Sequence, residues 1–166
     1  MFDLKQLSIP HLGLKIGEHE FRYTINELFF EELGYSEIKK GTFDVTLLLH
    51  KQMNMLTLNF SIEGIAKVVC DRCLDELELG IKTQQKLFVS FGEETQEETE
   101  EKLILSHNEQ EINVSQFIYE YIILAMPLAR THMEGQCNPE LVKKLEELKP
   151  KSNGIDPRWE ILNKLK

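Results

Sequence analysis

Apolar side chains recur at every second position through the middle of the chain. Phe43, Val45, Leu47 and Leu49 alternate with Asp44, Thr46, Leu48 and His50. After a turn at Lys51–Asn54, Leu56, Leu58, Phe60 and Ile62 repeat the alternation. It returns at Leu77, Leu79, Ile81, Leu87, Val89 and Phe91, all on odd positions. A period of two puts one side of a strand toward a core and the other toward water. Three such runs joined by short turns predict an antiparallel meander of long strands. Gly64 and Gly80 are expected to mark bulges or bends within it.

Flanking segments carry other patterns. Asp3–Ile9 and Glu18–Ile25 are read as strands. Asn26 is placed to cap a short helix, Glu27–Leu33, ending at Gly34. Leu103–Leu105 suits one more short strand. Phe117, Ile118, Tyr121, Ile122 and Ala125 fall at helical spacing behind a cap at Asn113 or Ser115, and Pro127 stops that helix. Asn138 and Pro139 open a further helix that runs through Leu148. Residues 150–154 read as a linker, and Asp156-Pro157 as the start of a last short helix with Trp159, Leu162 and Leu165. The expected fold is therefore α+β: a long-stranded antiparallel sheet, with strands long enough for barrel-like closure, and helices in the C-terminal third. Residues 1–148 form one domain with an acidic loop at 93–101, followed by a linker and short helix at 149–166. Trp159 is read as fastening that helix to the domain rather than as a partner anchor.

Composition narrows the class. The chain has 166 residues, 42% of them hydrophobic and 28% charged, which suits one globular domain. No apolar run is long enough to span a bilayer, and the first ten residues lack the pattern of a signal peptide. The cytoplasm is the expected compartment, with the three cysteines reduced. The net charge of −9 is concentrated: residues 93–125 hold one Lys against nine Glu. That acidity disfavours generic nucleic-acid binding and leaves only a local contact from the mildly basic C-terminal part. The run at 93–101 reads as a solvated loop, with a lure for a basic ribosomal or RNA-binding protein as the functional alternative.

The distinctive chemistry is Cys70-Asp71-Arg72-Cys73. It lies at the tip between two long strands, where a tight turn brings two sulfurs to one point. Two thiolates on a turn supply half of a tetrahedral zinc site. A redox C-x-x-C instead opens a helix, whereas Leu74–Ile81 reads as strand. Cys137, just ahead of a helix N-terminus, and His132 in the same loop would complete a Cys3His set, with Gly135 letting the backbone curl. His107 or a water are weaker candidates for the fourth position. With four protein ligands a metal is structural, not catalytic. Against this stands the reading of three packed thiols and an exposed loop histidine.

At these residues the chain resembles the YceD family, described as large ribosomal RNA subunit accumulation proteins. The resemblance runs from Val69-Cys70-Asp71-Arg72-Cys73-Leu74 through Ile123-Leu124-Ala125-Met126-Pro127-Leu128 and Cys137 to Asp156-Pro157-Arg158-Trp159. It implies a bacterial or organellar protein needed for accumulation of large-subunit (23S) ribosomal RNA, and so for ribosome biogenesis, without enzymatic activity. Many members carry further cysteines after the helix; here there is one, with His132 nearby. A four-cysteine site is thereby excluded.

The implied partner is a ribosome-assembly or RNA-processing protein, with no membrane and with direct RNA contact not favoured. Two other functions compete. A metal-dependent hydrolase needs an open metal position and a base, and the sequence offers no H-E-x-x-H and no phosphate loop. A thiol switch on Cys70 and Cys73 needs a depressed thiol pKa and reversible oxidation.

Overall fold

The computed structural model describes residues 2–34, 38, 40–99 and 101–149. In chain order the strands are β1 (Ser8–Ile9), β2 (Gly17–Ile25), β3 (Lys40–Lys51), β4 (Met55–Val69), β5 (Glu76–Gly92), β6 (Gln96–Thr99), β7 (Lys102–Ser106) and β8 (Ile112–Asn113). The α-helices are α1 (Glu27–Leu33), α2 (Ser115–Leu124) and α3 (Pro139–Leu148). The short expected helix at Asp156-Pro157, with Trp159, Leu162 and Leu165, lies outside the described residues.

Six strands form one sheet in the order β2-β3-β4-β5-β7-β6; β1 and β8 pair separately. The meander β2 to β5 is antiparallel throughout. Its alternating residues behave as the period of two requires: Phe43, Val45, Leu47, Leu49, Leu56, Leu58, Phe60 and Ile62 are all buried. The opposite face carries charge, such as the cross-strand ion pair Glu63–Lys82 at 2.8 Å. Helices cover the buried face. Phe30 of α1 meets Phe43 edge-on at 5.9 Å, and Tyr121 of α2 meets Phe60 at 5.2 Å. The fold is α+β, as the alternation implies.

The sheet stays open. β2 and β6 are its edges and do not pair with each other, so the barrel-like form does not occur. The strands beyond β5 explain why. After β5 the chain skips one place, lays β6 at the edge, and returns as β7 parallel to β5. Leu103 and Leu105 of β7 are buried, whereas every residue of β6 is exposed. A glutamate-rich segment cannot occupy an inner slot without desolvating its charges, so the apolar segment takes it. Part of the expected acidic loop is thus a short strand, and the parallel pair is an addition to the expected antiparallel order. The charged β6 also blunts its edge against further pairing.

Two local expectations need correction. Within Asp3–Ile9, Leu4–Leu7 forms a 3-10 turn because the Asp3 carboxylate accepts the Lys5 N–H at 3.0 Å; only Ser8–Ile9 is extended. Gly64 is no bulge: it pairs in register with both Phe43 and Ile81. Its role is close approach, since a Cβ there would collide with the Thr42 carbonyl and the Phe43 backbone. Elsewhere the caps are as read: Asn26 accepts from Leu28 N–H, Gly34 is left-handed, and Asn138 accepts from Glu140 N–H behind Pro139. At α2 the Asn113 carboxamide accepts from Ser115 N–H at 2.9 Å.

Candidate metal centre

The β4–β5 hairpin extends past β3, and its tip carries Cys70 to Asp75. Its closure is tight: Cys70 N–H donates to the Asp75 carbonyl and Leu74 N–H to the Cys70 carbonyl, both at 2.9 Å. To make that turn Leu74 adopts φ 60, a left-handed conformation that an L-residue with a side chain rarely holds. The result directs both cysteine sulfurs inward, where Cys70 and Cys73 are fully buried, while Leu74 is 71% exposed.

The second half of the site comes from the loop between α2 and α3. Gly135 is left-handed at φ 83, and Gln136 N–H closes the turn on the Met133 carbonyl at 3.0 Å. The loop is tied to the hairpin tip from both sides. Asp71 N–H donates to the Arg130 carbonyl, and Arg130 N–H donates to the Asp71 carboxylate, each at 2.7 Å. In the sequence Asp71 stands only as one residue of the Cys70–Cys73 turn. Its role as a clamp was not readable there, because the partner is a main-chain group 59 residues away.

Four donors converge. Cys70 Sγ is 4.0 Å from Cys137 Sγ, Cys73 Sγ is 3.4 Å from His132 Nδ1, and Cys137 Sγ is 3.9 Å from the same nitrogen. All four ligand atoms lie within 4.8 Å of one another, near enough to share one metal ion. His132 is oriented from behind: its Nε2–H donates to the Glu76 carbonyl at 3.2 Å, which leaves the Nδ1 lone pair facing the sulfurs. Arg72 N–H points at Cys70 Sγ from 3.4 Å. His107 is not among the four. It sits beyond β7, stacked on Phe91 at 6.1 Å.

The electrostatics favour a thiolate. Burial pushes the Cys70 thiol up, but hydrogen bonds from the main chains of Cys73, His132 and Arg72 outweigh it and bring the pKa down to about 6. Hydrogen bonding to the Cys70 side chain raises the His132 imidazole, against burial, with Cys73 and Glu76 adding to the rise. Cys137 is raised, first by burial and then by Cys73 and Cys70. Of Cys70 and Cys137, Cys70 is therefore the readier to give up its proton. Three buried thiols and one half-buried imidazole are enough to supply all four ligands of a tetrahedral ion.

No helix among the described residues is long and apolar enough to cross a membrane. The chain matches no curated protein and no solved structure. It does match, over residues 58–166, a family model described as "Large ribosomal RNA subunit accumulation protein YceD". The matched stretch begins within β4 and contains the hairpin tip, the clamp and all four donors. With about two thirds of its length inside that match, the chain belongs to the YceD family.

Proposed function

We propose that this chain is a non-catalytic factor supporting accumulation of large-subunit ribosomal RNA in the cytoplasm. In this reading Cys70, Cys73, His132 and Cys137 hold one structural zinc ion. The observation that carries it is the closed Cys3His set at the hairpin tip, within a family described by an RNA-accumulation role rather than by a reaction.

The donor set suits zinc. A tetrahedral ion about 2.3 Å from sulfur and about 2.0 Å from nitrogen separates two sulfurs by about 3.8 Å, and sulfur from nitrogen by about 3.5 Å. The spacings of 4.0, 3.4 and 3.9 Å fall close to those values. When bound, such an ion supplies a cross-link, not a Lewis acid with a free position. The protein's own part is to present the hairpin tip and the 128–137 loop as one rigid surface. The acidic charge of the chain favours a protein partner from ribosome assembly or RNA processing over direct RNA contact.

Two measurements test this. Protein purified without chelator should contain about one zinc per chain, lost in Cys70→Ser. A deletion strain should show less large-subunit than small-subunit ribosomal RNA, restored by the wild-type chain. An unchanged RNA ratio overturns the functional reading. Metal-free wild-type protein overturns the zinc reading. The thiol-switch alternative draws on the lowered Cys70 pKa and predicts reversible oxidation of Cys70 with Cys73; unchanged function in Cys73→Ser rules it out.

A further inference from the structure

The two edges of the main sheet are unlike. β6 is four residues long and bears glutamates, whereas β2 is nine residues long and bears both signs of charge. Among the described residues, β2 makes its backbone pairing with β3 alone, leaving one row of N–H and C=O groups open. Its outer face carries Glu18, Glu20, Arg22 and Thr24, all exposed. Its inner face carries Phe21 and Tyr23, half-buried against the core.

An open edge of this kind pairs with another strand, and a second copy of the same strand is one such partner. For two antiparallel copies of β2 to extend the sheet with apolar faces aligned, a dyad must pass through a residue. The charges then choose which one. A dyad at His19 sets Glu18 against Glu20 twice. A dyad at Glu20 or at Arg22 sets a like charge on itself. A dyad at Tyr23 pushes Glu20 past the end of the strand. A dyad at Phe21 sets Glu20 opposite Arg22 of the second copy and Arg22 opposite its Glu20, with Glu18 opposite Thr24. Like charges directly opposite destabilise a strand pair and opposite charges support it.

We propose that β2 is a homodimerisation edge, pairing antiparallel with β2 of a second copy about a two-fold axis at Phe21. Glu20 and Arg22 already form an ion pair along one strand. Across the axis they become a square of alternating charge, each arginine flanked by two glutamates. On the inner face the two Phe21 rings meet, and each Tyr23 gains His19 of the other copy as its neighbour. The interface is a single strand pair, so the dimer is in concentration-dependent equilibrium with monomer.

Charge reversal tests this on the full chain by sedimentation velocity over a dilution series. Wild type should show a concentration-dependent dimer. Glu20→Arg and Arg22→Glu, each alone, place like charges opposite and should weaken dimerisation about tenfold or more. An equimolar mixture of the two single variants should restore the dimer, because each then meets its complement. Both side chains are exposed, and rescue by mixing also shows that each variant is folded. A wild-type chain that is monomeric throughout overturns the proposal. So does a dimer indifferent to either reversal, or a mixture that fails to re-form it.

Discussion

Along the inner faces of β3, β4 and β5, large side chains such as Phe43, Leu47, Leu58 and Phe60 are removed from water almost entirely. The stretch from Leu128 to Leu148 is held by other means. No residue of α3 is fully buried; Leu141 and Val142 lean on the core, and Leu145 and Leu148 point to solvent. What fixes this stretch is the Asp71–Arg130 clamp and the convergence of Cys137 and His132 on the hairpin tip. The first region is held by non-directional burial that tolerates many sequences of the right volume. The second rests on a few directional contacts, most of which depend on a single side chain.

The largest expected effect breaks the first region. Phe60→Ala removes a buried ring from its contact with Tyr121 and should cost about 3–5 kcal/mol, read as a lower denaturant midpoint. Chelation attacks the second. If the four donors hold zinc, its removal should raise hydrogen exchange across 128–148 while amides in β3 to β5 keep their protection. Uniform loss of protection would show that the two regions are one cooperative unit.

A pH titration separates the regions more finely. His11 is buried beside Phe91, its Nε2 bonded to the Glu109 carbonyl at 3.0 Å. Burial lowers its pKa below 6.5, with the Lys51 charge adding and the Glu109 carbonyl opposing. The unfolded chain therefore binds the proton more readily than the folded one. Stability from this group is complete above about 6.5 and is lost as pH falls toward the folded value, with a slope of at most one proton. His11→Gln should flatten that part of the stability curve. The smallest effect is at Leu74. Leu74→Gly relieves a left-handed conformation worth about 1 kcal/mol, partly offset by the greater freedom of glycine when unfolded. The net gain should be a few tenths of a kcal/mol, with the metal content unchanged.

The same contrast explains what the sequence disclosed. The meander was legible because burial imposes a period of two, and α1 and α3 because Asn26, Gly34, Asn138 and Pro139 act within one turn. Cys70, Cys73, His132 and Cys137 could be grouped as candidates, since a C-x-x-C tip and a Cys ahead of a helix are local signals, and the structure brings their ligand atoms within 4.8 Å of one another. What was hidden depends on competition between distant segments. Leu103 and Leu105 displacing β6 from the place beside β5 is decided by relative burial, which a local window cannot weigh. The clamp at Asp71 needed a main-chain partner, and main-chain groups leave no mark in a sequence. The 3-10 turn at Leu4–Leu7 was missed because its apolar spacing imitates a strand, and a single Asp3 hydrogen bond decides the outcome.

The exposed, glutamate-bearing β6 also sets a termination rule for assembly. A sheet with two receptive edges can add copies end over end without limit, which is how soluble chains become fibres. Here one rim is repellent to its own kind. Any association through the opposite rim is consumed as soon as two copies meet, because each then shows only its acidic side outward. Growth stops at a closed particle, and a chain that neutralises Glu97 and Glu98 would lose that stop.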